Sequence, residues 1–112
     1  FEERDEHPSS VEVLLGAVGG SLAVGFATEC ARASLDVDDI ELTVRGQLHD
    51  VLAHMGLEQG DPSFSPIDIQ CFASTFDDEA AVRRARTLAV ERSPLAATLH
   101  KVVEMSFKLA IV

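Results

Sequence analysis

Residues 13–27 form an apolar run of fifteen residues in which Ser21 is the only polar side chain. Ser9 and Glu12 precede the run with the spacing of a capping box, in which each side chain accepts a hydrogen bond from the other residue's backbone amide. The pattern predicts a long helix that is apolar nearly all round, as is typical of a central element covered on most sides. The run contains four glycines and is shorter than the roughly 20 residues needed to cross a bilayer. We therefore expect a buried helix and no membrane span.

Three later segments predict strands, because apolar and polar residues alternate along them. They cover residues 40–48, 67–74 and 102–112. The core-facing sets of the first two are Ile40, Leu42 and Val44, and Ile67, Ile69, Cys71 and Ala73. Between these strands, residues 49–66 contain two glycines and two prolines. This composition predicts a loop with one helical turn over 51–55.

Two further helices are expected between the second and third strands. Asp77 or Asp78 can cap a helix that runs to about Glu91, and Ser93 with Pro94 can begin a short helix that reaches residue 98 or 99. The longer helix has a small apolar stripe with arginines outside it: Ala81, Ala85, Leu88 and Ala89, against Arg83, Arg84 and Arg86. The element order predicts an α+β fold with two long helices against one face of a sheet. We expect a polar lead-in over 1–9 and a single domain over 10–112.

The charge balance excludes some classes of partner. Nineteen acidic residues against nine basic ones give a formal charge of -10, which repels nucleic-acid backbones and anionic lipids. No secretory leader is visible in the sequence, so a cytoplasmic location is expected. Cys30 and Cys71 form no metal or redox spacing motif, and we interpret both as reduced, buried thiols.

Three motifs carry a resemblance to a known family. They are Ser10-Val-Glu-Val-Leu-Leu-Gly-Ala-Val-Gly-Gly-Ser21, Ser63-Phe-Ser-Pro-Ile67 and Glu91-Arg-Ser-Pro-Leu-Ala-Ala-Thr-Leu99. Together they resemble the OsmC/Ohr family of thiol peroxidases. The resemblance implies an OsmC-like α+β fold with a mainly antiparallel sheet, and an intertwined homodimer. Family members usually begin with several further strands, which are not recognisable here, so we expect those amino-terminal strands to be missing or reduced.

The resemblance also implies the candidate site. Ser21 and Ser93 stand where the family normally has cysteines, the first of which attacks an organic hydroperoxide as a thiolate and is then resolved by the second. Glu12 matches a glutamate common in one version of this helix start. A serine hydroxyl has a pKa far above neutral and lacks the oxidation chemistry of a thiol. We therefore take Ser21, Ser93 and Glu12 as family-equivalent catalytic positions without the peroxidase cycle.

Each of these residues also has a structural interpretation. Glu12 can serve the capping box, Ser93 can be an N-cap, and Ser21 can donate to the carbonyl of Ala17 one turn earlier. Ser21 can instead line a ligand pocket, or act as a hydrolytic nucleophile if a base lies beside it. The sequence leaves that base open among four histidines: His7, His49, His54 and His100.

Other sites are less well supported by the sequence. Cys30 lies nine residues after Ser21, on the opposite face of the predicted helix, so inert packing of both cysteines is preferred to relocated thiol chemistry. His49, Asp50 and His54 make no complete ligand motif, and we expect no metal site. The glycines lie inside an apolar helix without a following lysine, so no phosphate-bearing cofactor is expected. Gly16 and Gly20 would instead permit close packing of a helix.

The preferred function is that of an OsmC-like protein of the organic-hydroperoxide and oxidative-stress resistance family that lacks thiol peroxidase activity. It would bind a small hydrophobic ligand or a protein partner. The alternative is an active hydroperoxide-reducing or other enzyme that uses a non-family nucleophile. A third possibility is a structural subunit that assembles through its acidic surface.

Overall fold

The computed structural model of the protein describes residues 9–63 and 66–112. Its elements, in chain order, are α1 (Ser10–Arg32), β1 (Val37–Arg45), α2 (Val51–His54), β2 (Ile67–Thr75), α3 (Glu79–Arg92), α4 (Pro94–Leu99) and β3 (Met105–Ile111). The order predicted from the sequence is confirmed, including the helical turn in the long loop. The lead-in over 1–8 and two residues of the Ser63–Ile67 motif lie outside the described residues.

The three strands form one mixed sheet in the order β1-β2-β3. β1 and β2 are antiparallel, whereas β2 and β3 are parallel. The α+β class is confirmed. The sheet was expected to be mainly antiparallel, whereas the described strands form one antiparallel and one parallel pair. The difference arises because α3 and α4 connect the end of β2 to the start of β3, and a crossover of this kind joins parallel neighbours.

The capping box at the start of α1 is confirmed. The Ser9 amide donates to Oε1 of Glu12 at 2.9 Å, and the Glu12 amide donates to Oγ of Ser9 at 3.2 Å. Two of the four amides that a helix leaves unpaired at its start are satisfied in this way. The local sequence therefore fixes where this long helix begins.

The prediction that α1 is covered on most sides is wrong for the single chain. Its buried positions are Val18, Leu22, Phe26, Glu29 and Cys30. Val13 and Val24, which point elsewhere, are 57% and 69% exposed. The physical reason is that the helix packs against β1, α3 and α4, which cover only part of its circumference.

The core consists of two apolar clusters, both of which include residues of α1. Phe26 and Cys30 lie in the first with Cys71, Val82 and Leu109, and Val18 and Leu22 lie in the second with Ile67, Ile69 and Ala96. Both cysteines are buried, free thiols as predicted. Burial raises the pKa of the Cys71 thiol to about 11, and burial together with the Glu29 charge raises the pKa of Cys30.

On α3 the predicted stripe is confirmed at Ala85 and Ala89, and Val82 completes it. Two of the arginines beside the stripe reach the outer edge of the sheet. Nη1 of Arg83 donates to the carbonyl of Leu109 at 3.2 Å, and Nη1 of Arg86 donates to the carbonyl of Phe107 at 3.0 Å. These guanidinium groups therefore bind carbonyls of the edge strand β3.

Candidate functional site

The structure brings Ser21 and Ser93 into contact. Their Oγ atoms are 2.8 Å apart, although 72 positions separate them in the sequence. The Ser21 hydroxyl therefore forms its hydrogen bond with Ser93, and not with the Ala17 carbonyl as the structural interpretation expected. Two positions that were singled out through distant motifs thus form one site.

Ser93 is held at the junction of two helices. It is the C-cap of α3 and the N-cap of α4, where its Oγ accepts from the amide of Ala96 at 3.2 Å. Pro94 follows at the first position of α4, where its fixed φ favours a helix start. The N-cap role is confirmed, and it leaves the Ser93 hydroxyl able to bond Ser21 as well.

Close packing between α1 and α3 positions the serine pair. A Cβ atom at Gly25 would lie 3.6 Å from Cβ of Ala89, which is an ordinary contact distance. A side chain larger than alanine at either position would push the two helices apart. Glycine at position 25 and alanine at position 89 therefore let α1 and α3 approach closely enough for Ser93 to reach Ser21.

An open groove of about 440 Å³ runs along α1 beside the serine pair. Ser93 is buried and Ser21 is half-buried, so the Ser21 side chain is the more accessible of the two. The groove is lined by Gly20, Ser21, Val24, Gly25, Thr28, Glu29, Arg32, Ala89, Arg92, Ser93 and Pro94. Its walls are therefore apolar in the middle and polar at both ends.

A charged cluster at one end of the groove was missed by the sequence analysis. The carboxylate of Glu29, which is only 6% exposed, accepts from Nη1 of Arg92 at 2.9 and 3.0 Å and from Nη1 of Arg32 at 3.2 Å. The signal available in the sequence was a glutamate one turn before an arginine at the end of an apolar helix. The partner on α3 could not be found without the fold.

Glu12 does not join the serine pair. It lies nine residues before Ser21, which corresponds to about 13 Å along the helix axis. Its carboxylate caps α1, and its side chain lines a separate hollow with Leu15, Gly16 and Val44. Of the three predicted site residues, the structure brings two together and leaves the third in its capping role.

No histidine lines the groove within the described ranges. His100 caps the end of α4 and lines a different hollow with Met105 and Phe107. His49 uses one ring nitrogen, Nδ1, for contacts to the Ser63 carbonyl at 3.1 Å and to Asp61 at 3.5 Å. A serine–histidine relay needs both ring nitrogens, so this loop cluster does not have the geometry of a triad, while His7 lies outside the described residues.

The loop carboxylates are engaged with one another rather than arranged around a metal site. A hydrogen bond from Glu58 lowers the pKa of Asp50, and the same bond raises the pKa of Glu58. Asp50 also caps α2 by accepting from the Ala53 amide. Over residues 9–63 and 66–112, no three histidine, cysteine or acidic side chains are placed to hold a metal ion together.

A further hollow lies between the helices and the sheet, next to Cys71. It is lined mainly by apolar side chains, among them Leu22, Phe26, Ile69 and Phe107. Its volume of about 20 Å³ is roughly that needed for a single water molecule. The open groove at Ser21 is much larger than this hollow and similar in volume to the hollow beside Glu12, which measures about 490 Å³.

Solved structures with the same fold come from several bacteria. An OsmC-like protein from Mycoplasma pneumoniae is 12% identical, with a TM-score of 0.80 over 93% of this chain and 72% of that chain. The organic hydroperoxide resistance protein OhrB of Bacillus subtilis is 14% identical, with a TM-score of 0.62 over 88% and 67%. A putative organic hydroperoxide resistance protein from Vibrio cholerae, with captopril bound in one of its active sites, is 9% identical, with a TM-score of 0.64 over 88% and 62%.

No curated protein matches the sequence significantly. At these identities the solved structures establish the fold alone. The sequence itself matches the family model described as OsmC-like protein over residues 3–108. This match spans most of the chain and agrees with the resemblance found in its motifs, so the protein belongs to the OsmC-like family.

Proposed function

We propose that this OsmC-like protein lacks thiol peroxidase activity and uses the groove at Ser21 to bind a small hydrophobic ligand or a protein partner. The observation that carries the proposal is the 2.8 Å contact between the Ser21 and Ser93 hydroxyls. The family resemblance assigns reactive cysteines to both positions. A cysteine pair has to meet in this way to form its disulfide, so the contact supports the assignment of Ser21 and Ser93 as the equivalents of that pair.

The chemistry of the two side chains explains the loss of activity. In a thiol peroxidase the thiolate attacks the peroxide oxygen, the oxygen–oxygen bond breaks and the alcohol leaves. The resulting sulfenic acid is then attacked by the second thiol to give a disulfide and water. Serine is not deprotonated near neutral pH and has no stable counterpart of the sulfenic acid. The native thiols do not substitute for it, because Cys30 and Cys71 are buried with raised pKa values.

The groove supports a binding function. Its volume of about 440 Å³ lies within the usual range of about 300–1,000 Å³ for small-molecule pockets. The captopril complex of the Vibrio cholerae protein places a small molecule in the active site of a protein with the same fold. We extend the binding of a small molecule, but not the peroxidase chemistry, to the groove at Ser21 in this chain.

A peroxide-consumption assay tests the loss of activity. Purified protein is mixed with cumene hydroperoxide and either dithiothreitol or dihydrolipoamide, and residual peroxide is followed with time. We expect neither the unsubstituted protein nor Ser21→Ala to consume peroxide faster than the reductant does alone. Turnover that is abolished by alkylation, or by Cys71→Ser or Cys30→Ser, would instead establish the alternative, an enzyme with a non-family nucleophile.

We further propose that the protein is a homodimer. Gly16 and Gly20 face open space in the single chain, since a Cβ atom at either position meets no other atom within 4 Å. Val13 on the same helix is also exposed. Sedimentation should show a dimer that Gly16→Leu weakens and that Val102→Leu, a change at an exposed site outside the helices, leaves intact. A monomer before substitution, or an unaltered dimer in Gly16→Leu, would remove this proposal.

A cytoplasmic location is part of the same proposal. α1 is the one helix among the described residues that is long and apolar enough to cross a bilayer, but a core helix of a soluble protein passes the same test. The ion pair between Glu29 of α1 and Arg92 of α3 also ties the helix to the rest of the domain.

A further inference from the structure

Two phenylalanines are exposed near one end of the sheet. Phe76, in the turn between β2 and α3, is 105% exposed, and Phe72 within β2 is 41% exposed. The buried positions of β2 alternate with Phe72 and pack against the helices, so Phe72 points to the outer face of the sheet, which the helices do not cover. Phe76 follows four residues later, about 13 Å along an extended chain. Large apolar side chains that are exposed close together mark interaction sites in soluble proteins.

Hydrogen bonds hold the turn that carries Phe76. Oγ1 of Thr75 donates to the carbonyl of Asp36 at 2.6 Å and accepts from the amide of Asp77 at 3.0 Å. The amide of Asp36 donates in turn to the carboxylate of Asp77. Both neighbours of Phe76 are thus fixed to the start of β1, while the aromatic ring itself buries no surface in the fold. An aromatic side chain on a fixed backbone loses little conformational freedom when a partner covers it, which is the property of a binding hot spot.

Carboxylates surround the two aromatic rings. Glu41 lies opposite Phe72 in the register of β1 and β2, and Asp39 lies opposite Ser74; both acidic side chains are exposed. Residues 33–44 and 71–82 contain no lysine, arginine or histidine. Their acidic residues are Asp36, Asp38, Asp39, Glu41, Asp77, Asp78 and Glu79, of which Glu79 is paired with Arg83. We call this surface, with Phe72 and Phe76, the acidic patch.

The charge of the acidic patch determines which occupant fits it. The basic residues of the outer face lie toward its other end, where Arg45 is opposite Asp68 and Lys108 is opposite Gln70. A second copy of the chain could offer only these two cations to the acidic patch, and two acidic patches would repel each other. Charge complementarity therefore favours a different, basic protein over a second copy.

We propose that the acidic patch docks a basic segment of another protein, whose apolar side chains cover Phe76 and Phe72. The carboxylates would attract and orient the segment, and the phenylalanine rings would supply the apolar contact area. None of the patch residues lines the groove at Ser21, and none belongs to α1, the helix proposed above for the homodimer contact. The proposal therefore adds a second, separate binding surface to the protein.

Fluorescence anisotropy with three labelled peptides of equal length tests the proposal: alternating arginine and leucine, alternating arginine and serine, and alternating glutamate and leucine. We expect the arginine–leucine peptide to bind at least about tenfold more tightly than the arginine–serine peptide, because only leucine buries apolar surface against the phenylalanines. Its affinity should fall with added salt, since the carboxylates are exposed, and the glutamate–leucine peptide should not bind. Equal binding of the two arginine peptides, or of the two leucine peptides, would overturn the proposal.

Substitutions locate the surface. Phe76→Ser should reduce the affinity for the arginine–leucine peptide at least about tenfold and leave Tm unchanged, because the ring buries no surface in the fold. Val102→Ser, at a site that is 82% exposed outside the acidic patch, is the matched control and should leave the affinity unchanged. An equal loss in the two variants would overturn the role of Phe76.

A second pair of variants separates the acidic patch from the net charge of the chain. Asp39→Asn/Glu41→Gln should reduce the affinity of the arginine–leucine peptide about fivefold. Glu91→Gln/Glu104→Gln removes the same charge from exposed positions elsewhere and should change this affinity less than twofold. An equal loss in the two double variants would mean that net charge alone governs binding, which would overturn the proposal.

Two further measurements cover the location and the alternative occupant. In amide NMR spectra of the unsubstituted protein, the arginine–leucine peptide should shift the signals of residues 36–41 and 72–79 more than those of α1 and α2. Shifts confined to the groove at Ser21 would overturn the proposed location. Sedimentation should show the same oligomeric state for Phe76→Ser and for the unsubstituted protein, and a change in that state would assign the acidic patch to a second copy instead.

Discussion

The contact between Ser21 and Ser93 makes a definite prediction for the Ser21→Cys/Ser93→Cys double variant. The two Oγ atoms are already 2.8 Å apart, and a disulfide needs its sulfur atoms about 2.05 Å apart. The longer carbon–sulfur bonds shorten the remaining gap without a change in the backbone. We therefore expect an intramolecular disulfide to form under mild oxidation.

The size of the effect follows from the length of the closed loop. The bond would link positions 72 residues apart, and the loop-closure relation gives a stabilisation of about 4 kcal/mol for a loop of that length. For a domain of this size, that corresponds to an increase in Tm on the order of 15 °C. The comparison is between the oxidised and the reduced double variant, so that the substitutions themselves cancel.

Thiol counting and thermal unfolding measure the two parts of this prediction. The protein has two free cysteines, so the double variant has four, and oxidation should leave two titratable thiols in denaturant. Thr28→Cys/Ser93→Cys is the matched control, because Thr28 lines the same groove but lies about 10 Å further along α1. Four thiols remaining after oxidation, or a lower Tm in the oxidised form, would refute the geometry from which the site was built.

Three further predictions concern the core, the buried thiols and the first helix. Ile67→Ala should lower the free energy of unfolding by about 2–5 kcal/mol in urea titrations, because Ile67 is fully buried. Val102→Ala, at an exposed site, should change the free energy of unfolding by less than about 0.5 kcal/mol. Cys71 has a folded pKa of about 11 against an ordinary value of 9.0, so the unfolded chain loses this proton first as the pH rises. Unfolding titrations should therefore show a stability contribution that is present below pH 9 and lost as the pH rises toward 11. A Cys71→Ala variant should show less of this loss, and rapid alkylation of Cys71 in the native state would contradict its burial. Ser9→Ala should destabilise the protein by about 1 kcal/mol, because it removes the hydrogen bond from the Glu12 amide to the Ser9 hydroxyl. Ser10→Ala leaves that hydrogen bond in place and should have little effect on the urea midpoint.

Local chemistry made the secondary structure predictable from the sequence. The Ser9 capping box, the alternation along 67–74 and the Ser93-Pro94 helix start each depend on residues only a few positions apart, and each was confirmed. The sheet was less predictable, because alternation shows that a strand is half-buried but not which neighbour it pairs with. The parallel partner of β2 depends on the path of α3 and α4.

The candidate site was predictable only in part, for a related reason. The family resemblance linked Ser21 with Ser93, and the fold places them in contact. The cluster around Glu29 depends on Arg92, which is 63 positions away, so no local pattern could have paired them. Glu12 shows the opposite case, in which a family-equivalent position has a complete local explanation as a helix cap.

The two guanidinium groups that bind carbonyls of β3 also determine the direction in which this sheet can grow. Arg83 and Arg86 already occupy the acceptors at Leu109 and Phe107, so a strand arriving at that border would have to displace both. At the opposite border, Val37–Arg45 has β2 on one side only among the described strands. Any strand that extends the sheet, whether from elsewhere in the chain or from another molecule, is therefore directed to align with β1.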